Sequence, residues 1–259
     1  MRILDIDLDF FLDEIAHFRK RNNQRLNKNA YIPWNAGQVE CFLENKLGLD
    51  KNNPLPGALF IHHDEVFDWC KDLRMNENDE SFSFVHVDAH SDLATGIDGC
   101  YIYIMETMLR KPIANRPEIK DAGYLQKLNP GNFLVFMAAC EWVNEITFVK
   151  HHKSNELYNP LFFQDNNIAT NNIQLKSYQL NIVKKLAQGT NIINNIRNHN
   201  PIFQTTPIPF REVKWCDYNE NNKFDYIFLT QSPSFTPRSS DKLIDVIKMY
   251  MQIKTTANI

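Results

Sequence analysis

SFSFVHVDAHSDL, residues 81–93, runs an apolar strand pattern directly into a set of metal-type ligands, and RILDIDLDFF, residues 2–11, does the same. In the first stretch His86, Asp88, His90 and Asp92 share one parity, while Val85, Val87, Ala89 and Ser91 share the other. Successive side chains on a strand point to opposite faces, so one strand edge is expected to carry all four polar groups. In the second stretch Asp5, Asp7 and Asp9 project to one side and Leu4, Ile6 and Leu8 to the other. Three carboxylates about 7 Å apart along a strand repel one another, and burial raises their pKa values unless a cation compensates. Taken alone, LDIDLDFF reads equally well as an exposed acidic edge, and a lone Asp-x-His-x-Asp can be a satisfied polar cluster. Two of them in one chain, each inside an apolar strand pattern, favour one shared metal site.

Working outward, ALFI at 58–61 reads as a short buried strand ending at HHDE, 62–65. EITFV at 145–149 and FDYIFLTQ at 224–231 read as further strands. Helical spacing is expected over 36–48, with Gly48 as a stop, and over 101–111, 132–143, 176–188 and 239–253, with a helix and loop in 12–30. Strands alternating with helices imply an α/β fold with a mostly parallel sheet, here as a single domain over residues 1–259. Strands 2–9 and 83–91 are expected to be parallel neighbours, because ligands in such sheets collect at the carboxyl ends of the strands. The same rule puts His62 and His63 beside the crevice, although Asp64 and Glu65 also suit the first turn of a helix. His151 and His152, flanked by Lys150 and Lys153, read as a solvated basic surface, as do His17 and His199.

Composition narrows the function classes. The net charge is -3 and the basic residues are scattered, so neither nucleic acid nor an anionic membrane is called for. Five cysteines, odd in number and without a CxxC pair, fit a reducing compartment. Three aspartates in the first nine residues do not suit a signal peptide, and no run of 18 apolar residues occurs, so a cytoplasmic location is expected. Carboxylates with a minority of imidazoles suit manganese, then iron or magnesium, whereas structural zinc prefers the cysteines these motifs lack. With neutral histidines, Asp7, Asp9, Asp88 and Asp92 would balance two divalent cations. Two Mn2+ are therefore expected; such a pair, about 3.5–4 Å apart, shares a water and lowers its pKa.

VDAHSDL resembles the Asp-x-His-x-Asp metal motif of the arginase and deacetylase superfamily, and LDIDLDFF resembles its Asp-x-Asp motif. With HHDE, GNFLVFMAACEWVNEITFV at 131–149 and SPSFTP at 232–237, the pattern is similar to a branch that includes the peptide arginases of ribosomal-peptide maturation. The resemblance implies a three-layer α/β/α arginase-like fold and a hydrolase that converts arginine side chains of a precursor peptide to ornithine, releasing urea. It implies Asp88 and Asp92 on the first metal, Asp88 and His90 on the second, and an Asp-x-Asp pair that bridges or caps both. Asp7 and Asp9 are the favoured pair, with Asp5 behind them, and His62 or His63 completes the first site. Asp92 would orient the attacking water, and His86 is a candidate proton donor. FDYIFLTQSP has no glutamate to grip a guanidinium, which leaves Glu65, Glu141 or Asp225. LATGIDGCY, after Asp92, lacks the Asn- and Ser-bearing stretch that holds free arginine, so the partner expected is an arginine-containing peptide. Two further enzyme readings stay open, an Asp-x-Asp phosphatase using magnesium and a deacetylase-like amide hydrolase, together with a metal that only staples the fold.

Overall fold

A computed structural model describes residues 1–259 apart from 18, 20–23, 77–80, 95–99, 119–127, 189–195, 197–198 and 255–259. Its strands in chain order are β1 (Arg2–Asp7), β2 (Leu55–Phe60), β3 (Phe82–Asp88), β4 (Val143–Lys150), β5 (Asn172–Ile173), β6 (Lys176–Ser177), β7 (Phe203–Gln204), β8 (Ile208–Lys214), β9 (Tyr226–Thr230) and β10 (Met251–Ile253). Eight of them form one sheet in the order β10-β2-β9-β1-β3-β4-β8-β5, and β6 pairs with β7 separately. β1 runs parallel to both its neighbours, β3 and β9, and the pairs β2–β9 and β10–β2 are parallel too. The protein is thus of the α/β class, with a mostly parallel sheet flanked by helices. The described residues gather into two compact units, one of Met1–Ser91, Thr147–Asn155 and Glu212–Ile259, the other of Asp92–Ile146 and Glu156–Arg211.

In the first unit the register sorts the side chains into two faces. Leu4 pairs with Val85 and Ile227, and Ile6 with Val87 and Leu229. These apolar residues form a core with Phe42 and Leu43 of α1 (Ala36–Asn45) and with Leu243 and Ile247 of a helix near the end of the chain, Lys242–Lys248. α1 starts where Asn35 and Gln38 form a reciprocal capping box, which satisfies backbone donors the helix cannot satisfy itself. On the opposite face Asp5 pairs with His86 and Phe228, and Asp7 with Thr230. There α2 (Glu65–Asn76) covers the sheet, with the Trp69 ring 4.7 Å from Phe228. One face of the central strands is thus wholly apolar, and the other brings acids and imidazoles together under a helix.

In the second unit α3 (Cys100–Tyr103) runs into a π-helical turn, Ile104–Met108, α4 (Phe133–Ala139) is buried along its whole length, and α5 spans Leu180–Gln188. The last helix, Lys242–Lys248, is therefore α6.

Three expectations change. The closing helix over 239–253 stops at Lys248, and Met251–Ile253 instead joins the sheet edge beside β2. The strands expected over 2–9 and 83–91 are neighbours as foreseen, but they end at Asp7 and Asp88. The expected helix in 12–30 is not present among the described residues there.

β2 reaches its place through a close approach. A Cβ on Gly57 would lie 2.0 Å from the carbonyl oxygen of Ile227 on β9. Gly57→Ala must push these strands apart, and overpacking of this kind costs about 2–3 kcal/mol. A fall in melting temperature of roughly 5–10 °C is expected by calorimetry; an unchanged value would show that the strands part freely.

Candidate metal centre

Both acidic strands end by the same device. Asp7 Oδ1 accepts a hydrogen bond from the Asp9 backbone N–H at 3.0 Å, and Asp88 Oδ1 accepts one from the His90 N–H at 2.8 Å. An aspartate that caps the amide two residues on offers the backbone an alternative to the strand ladder. Each chain therefore turns immediately after its aspartate. Leu8–Phe11 becomes a single 3-10 turn, anchored because Phe10 and Phe11 bury their rings 5.8 and 5.5 Å from Trp34. This overturns the period-2 expectation for Asp9 and His90: a turn, not strand alternation, sets their positions.

Three more residues arrive on loops that follow neighbouring strands: His62 and His63 after β2, and Ser232 after β9. His63 is buried, with Nε2 3.0 Å from Asp5 Oδ2 and Nδ1 3.1 Å from Asp7 Oδ2 and 3.2 Å from Asp88 Oδ2. His90 repeats the pattern. Its Nε2 lies 2.8 Å from the Ala16 carbonyl oxygen, and its Nδ1 lies 3.1 Å from Asp9 Oδ2 and 3.7 Å from Asp88 Oδ1. With Nε2–H donating outward to Asp5 or to Ala16, each imidazole faces a pair of carboxylates with Nδ1, the atom that would be free to bind a cation once its proton is displaced. An outer N–H held by a protein acceptor is how a metal-ligating histidine is oriented.

Of the four groups of ligand atoms that close to within 4.8 Å among the described residues, two set out a pair of neighbouring positions: Asp7, His63 and Asp88, and Asp9, Asp88 and His90. They share Asp88. No protein-family model, curated protein or solved structure matches this chain. The centre is therefore read from its own chemistry.

Burial raises the Asp9 carboxyl well above its ordinary range, and the charges of Asp7 and Asp88 push the same way. Burial and Asp88 also raise Asp7. For Asp88 burial acts upward too, but hydrogen bonds with His63 and His90 outweigh it and hold the carboxyl low. Asp5 is likewise lowered, because His63 and His86 overcome its burial. Burial works against protonating His63 and His90, yet Asp5 beside the first and Asp9 beside the second raise both imidazoles well above their usual value. Without a cation, the cluster is held together by protons. The donor set fits a cation in their place, since carboxylates and neutral imidazoles form an O/N site of the manganese, iron or magnesium kind. Buried Asp and His groups that can hold metal ions are thus present in the fold.

Cation entry must expel protons from Asp9, His63 and His90. Apparent affinity for Mn2+ should then rise with pH by roughly tenfold per unit for each proton displaced. Calorimetric titrations in buffers of different ionisation heat should record that release; uptake without protons would mean the cation binds elsewhere.

The remaining expected residues fall out as follows. Asp5 is fully buried, with its oxygens engaged by His63 and His86, with which it forms a further group of possible ligands. His86 is fully buried, with Nδ1 2.8 Å from Asp5 and Nε2 3.1 Å from the His90 carbonyl oxygen, a placement that suits orienting Asp5 more than delivering a proton to substrate. His62 is in neither group. Asp92 is buried and opens the second unit in left-handed backbone, φ 49. Glu65 accepts the Ile61 N–H at 3.1 Å, so it braces the loop between β2 and α2. Glu141 pairs with Arg116 at 2.9 Å. Asp225 accepts the Arg2 N–H where β1 and β9 begin. Most of the stretch after Asp92, residues 95–99, lies outside the described residues.

His151 is a correction. It is fully buried instead of solvated, its N–H reaches the Asp88 carbonyl, and its ring lies 5.9 Å from Phe10. Burial lowers its pKa to about 4, so the imidazole is neutral. Its position directly after β4 was the overlooked signal, the same one that singled out HHDE.

Proposed function

We propose that this protein is a dinuclear metal hydrolase that cleaves the guanidino group of arginine side chains within a peptide, leaving ornithine and releasing urea. The observation that carries the reading is the pair of buried ligand groups joined at Asp88. His63, Asp7 and Asp88 would hold one cation and His90, Asp9 and Asp88 the other, with Asp92 added from the Asp-x-His-x-Asp motif; Mn2+ is the expected ion. When bound, such a pair lowers the pKa of a shared water and polarises the group under attack.

The chain's own residues do the rest. Asp5 and Ala16 orient the two imidazoles, Asp88 brings its carboxylate to both, and the rings of Phe148 beside His86 and Phe235 beside His90 add apolar surface around the cluster. An outward histidine, His90, keeps 21% of its side chain exposed, so the Asp9 side of the cluster is the one a substrate can approach.

The phosphatase reading needs Asp5 or Asp7 as a nucleophile. Asp5 is fully buried with its oxygens engaged by two imidazoles, and Asp7 caps the Asp9 amide, so neither is presented for attack. Urea release from an arginine-containing peptide in the presence of Mn2+ is the deciding assay; phosphate release from an ester instead would reverse the choice.

A further inference from the structure

We infer that Ser232 is a positioning residue whose hydroxyl fixes the Asp7 carboxylate for cation binding, an inference that rests on the metal-centre reading above. Ser232 lies two residues past the end of β9 and is 6% exposed. Its Oγ–H donates to Asp7 Oδ2, the oxygen that also lies 3.1 Å from His63 Nδ1. The other oxygen, Oδ1, accepts from the Asp9 N–H. With one donor on each oxygen the carboxylate plane has a single orientation, and the remaining lone pairs face the imidazole and Asp88.

The backbone at Ser232 supports the same reading. Its φ is 46, left-handed, a region where side chains other than Gly, Asn and Asp are uncommon. Such an outlier persists only where the surroundings hold it. Here they do: the Ser232 N–H donates to the Ile61 carbonyl, and the Ser232 carbonyl accepts from the Phe235 N–H and the Thr236 hydroxyl. The loop after β9 is thereby stitched to the loop that carries His63, while Phe235 places its ring 5.1 Å from that of His90. A glycine would sit in this turn with less strain but would leave Asp7 without its donor.

That contrast separates positioning from mere structure. In Ser232→Gly the metal-free melting temperature should equal or exceed that of the wild type, because the strained backbone is relieved, while affinity for MnCl2 falls about 10–100-fold, the usual cost of losing a group behind a metal ligand. Ser232→Ala should lose affinity equally. Ser232→Thr keeps the hydroxyl but adds a β-branch to a left-handed residue, so it should melt lower yet bind Mn2+ within about threefold of the wild type. A purely structural serine predicts the opposite order, with affinity following melting temperature. Titration calorimetry and thermal melts on the full chain decide it. Wild-type affinity in Ser232→Gly and Ser232→Ala would overturn the inference alone; a wild-type protein that takes up no Mn2+ would overturn the metal centre and this inference with it.

Discussion

Asp88→Asn is expected to reduce bound manganese from about two equivalents to fewer than one, and to lower urea release at least a thousandfold by rough estimate. Asp88 is the member common to both ligand groups. One of its oxygens lies 3.2 Å from His63 Nδ1, and the other caps the His90 amide and lies 3.7 Å from His90 Nδ1. Asparagine keeps the size and can still cap the turn, so the backbone has no reason to move; it loses the charge and one acceptor. In the metal-free protein His63 and His90 hold the Asp88 carboxyl low, so removing its charge removes a favourable pairing, and the metal-free variant should melt lower than the metal-free wild type while still folding. Glu65→Gln is the control, since Glu65 braces the loop between β2 and α2 and is in none of the ligand groups, so its loss should leave manganese content unchanged. Two full equivalents retained by Asp88→Asn, measured by elemental analysis after dialysis without chelator, would remove the shared centre.

The second large effect is chemical. An arginine-containing peptide incubated with the manganese-loaded protein should lose about 42 Da per modified residue and yield one urea for each, as metal-assisted hydrolysis of a guanidino group requires. Free arginine should react at least about a hundredfold more slowly, since remote binding energy from the peptide would be missing. Mass spectrometry of the peptide and a colorimetric urea assay read the two products independently. Efficient turnover of free arginine would reassign the substrate, and an unmodified peptide beside a hydrolysed phosphate ester would reassign the reaction.

Much of the fold was legible in the chain, because the patterns that carry it are local. The alternation in RILDID and FSFVHVD is a strand signal, and both segments are strands, parallel and adjacent. Where the strands end was not legible from alternation. The capping bonds of Asp7 and Asp88 compete with the ladder, and Asp-x-Asp or Asp-x-His can be read either as two more strand residues or as a turn. At the site, Asp5, Asp7, Asp9, His63, Asp88 and His90 do meet, as their spacing suggested. Glu65 and Glu141 are engaged by local partners, the Ile61 N–H and Arg116, that a list of acidic residues does not reveal. Ser232 and His151 were missed in their roles because a lone serine or histidine carries no periodic signal. Their only mark is that each follows the last residues of a buried strand.

The placement of β1 also has a consequence for how the chain is made. This strand pairs with β3 across about eighty residues and with β9 across more than two hundred, as the partners Ile3, Phe84 and Tyr226 show. Non-local pairings of this kind slow folding, because the loop must close before the contact repays it. During synthesis, β1 and β3 can dock while β9 has not yet been translated. For that interval the acid-bearing face would lack both the strand that flanks Asp7 and the serine that donates to it, and an apolar strand edge would stand open. A nascent chain in this state is expected to depend on chaperones or on early metal capture, and expression in manganese-supplemented medium should raise the soluble yield of the wild type more than that of Asp88→Asn.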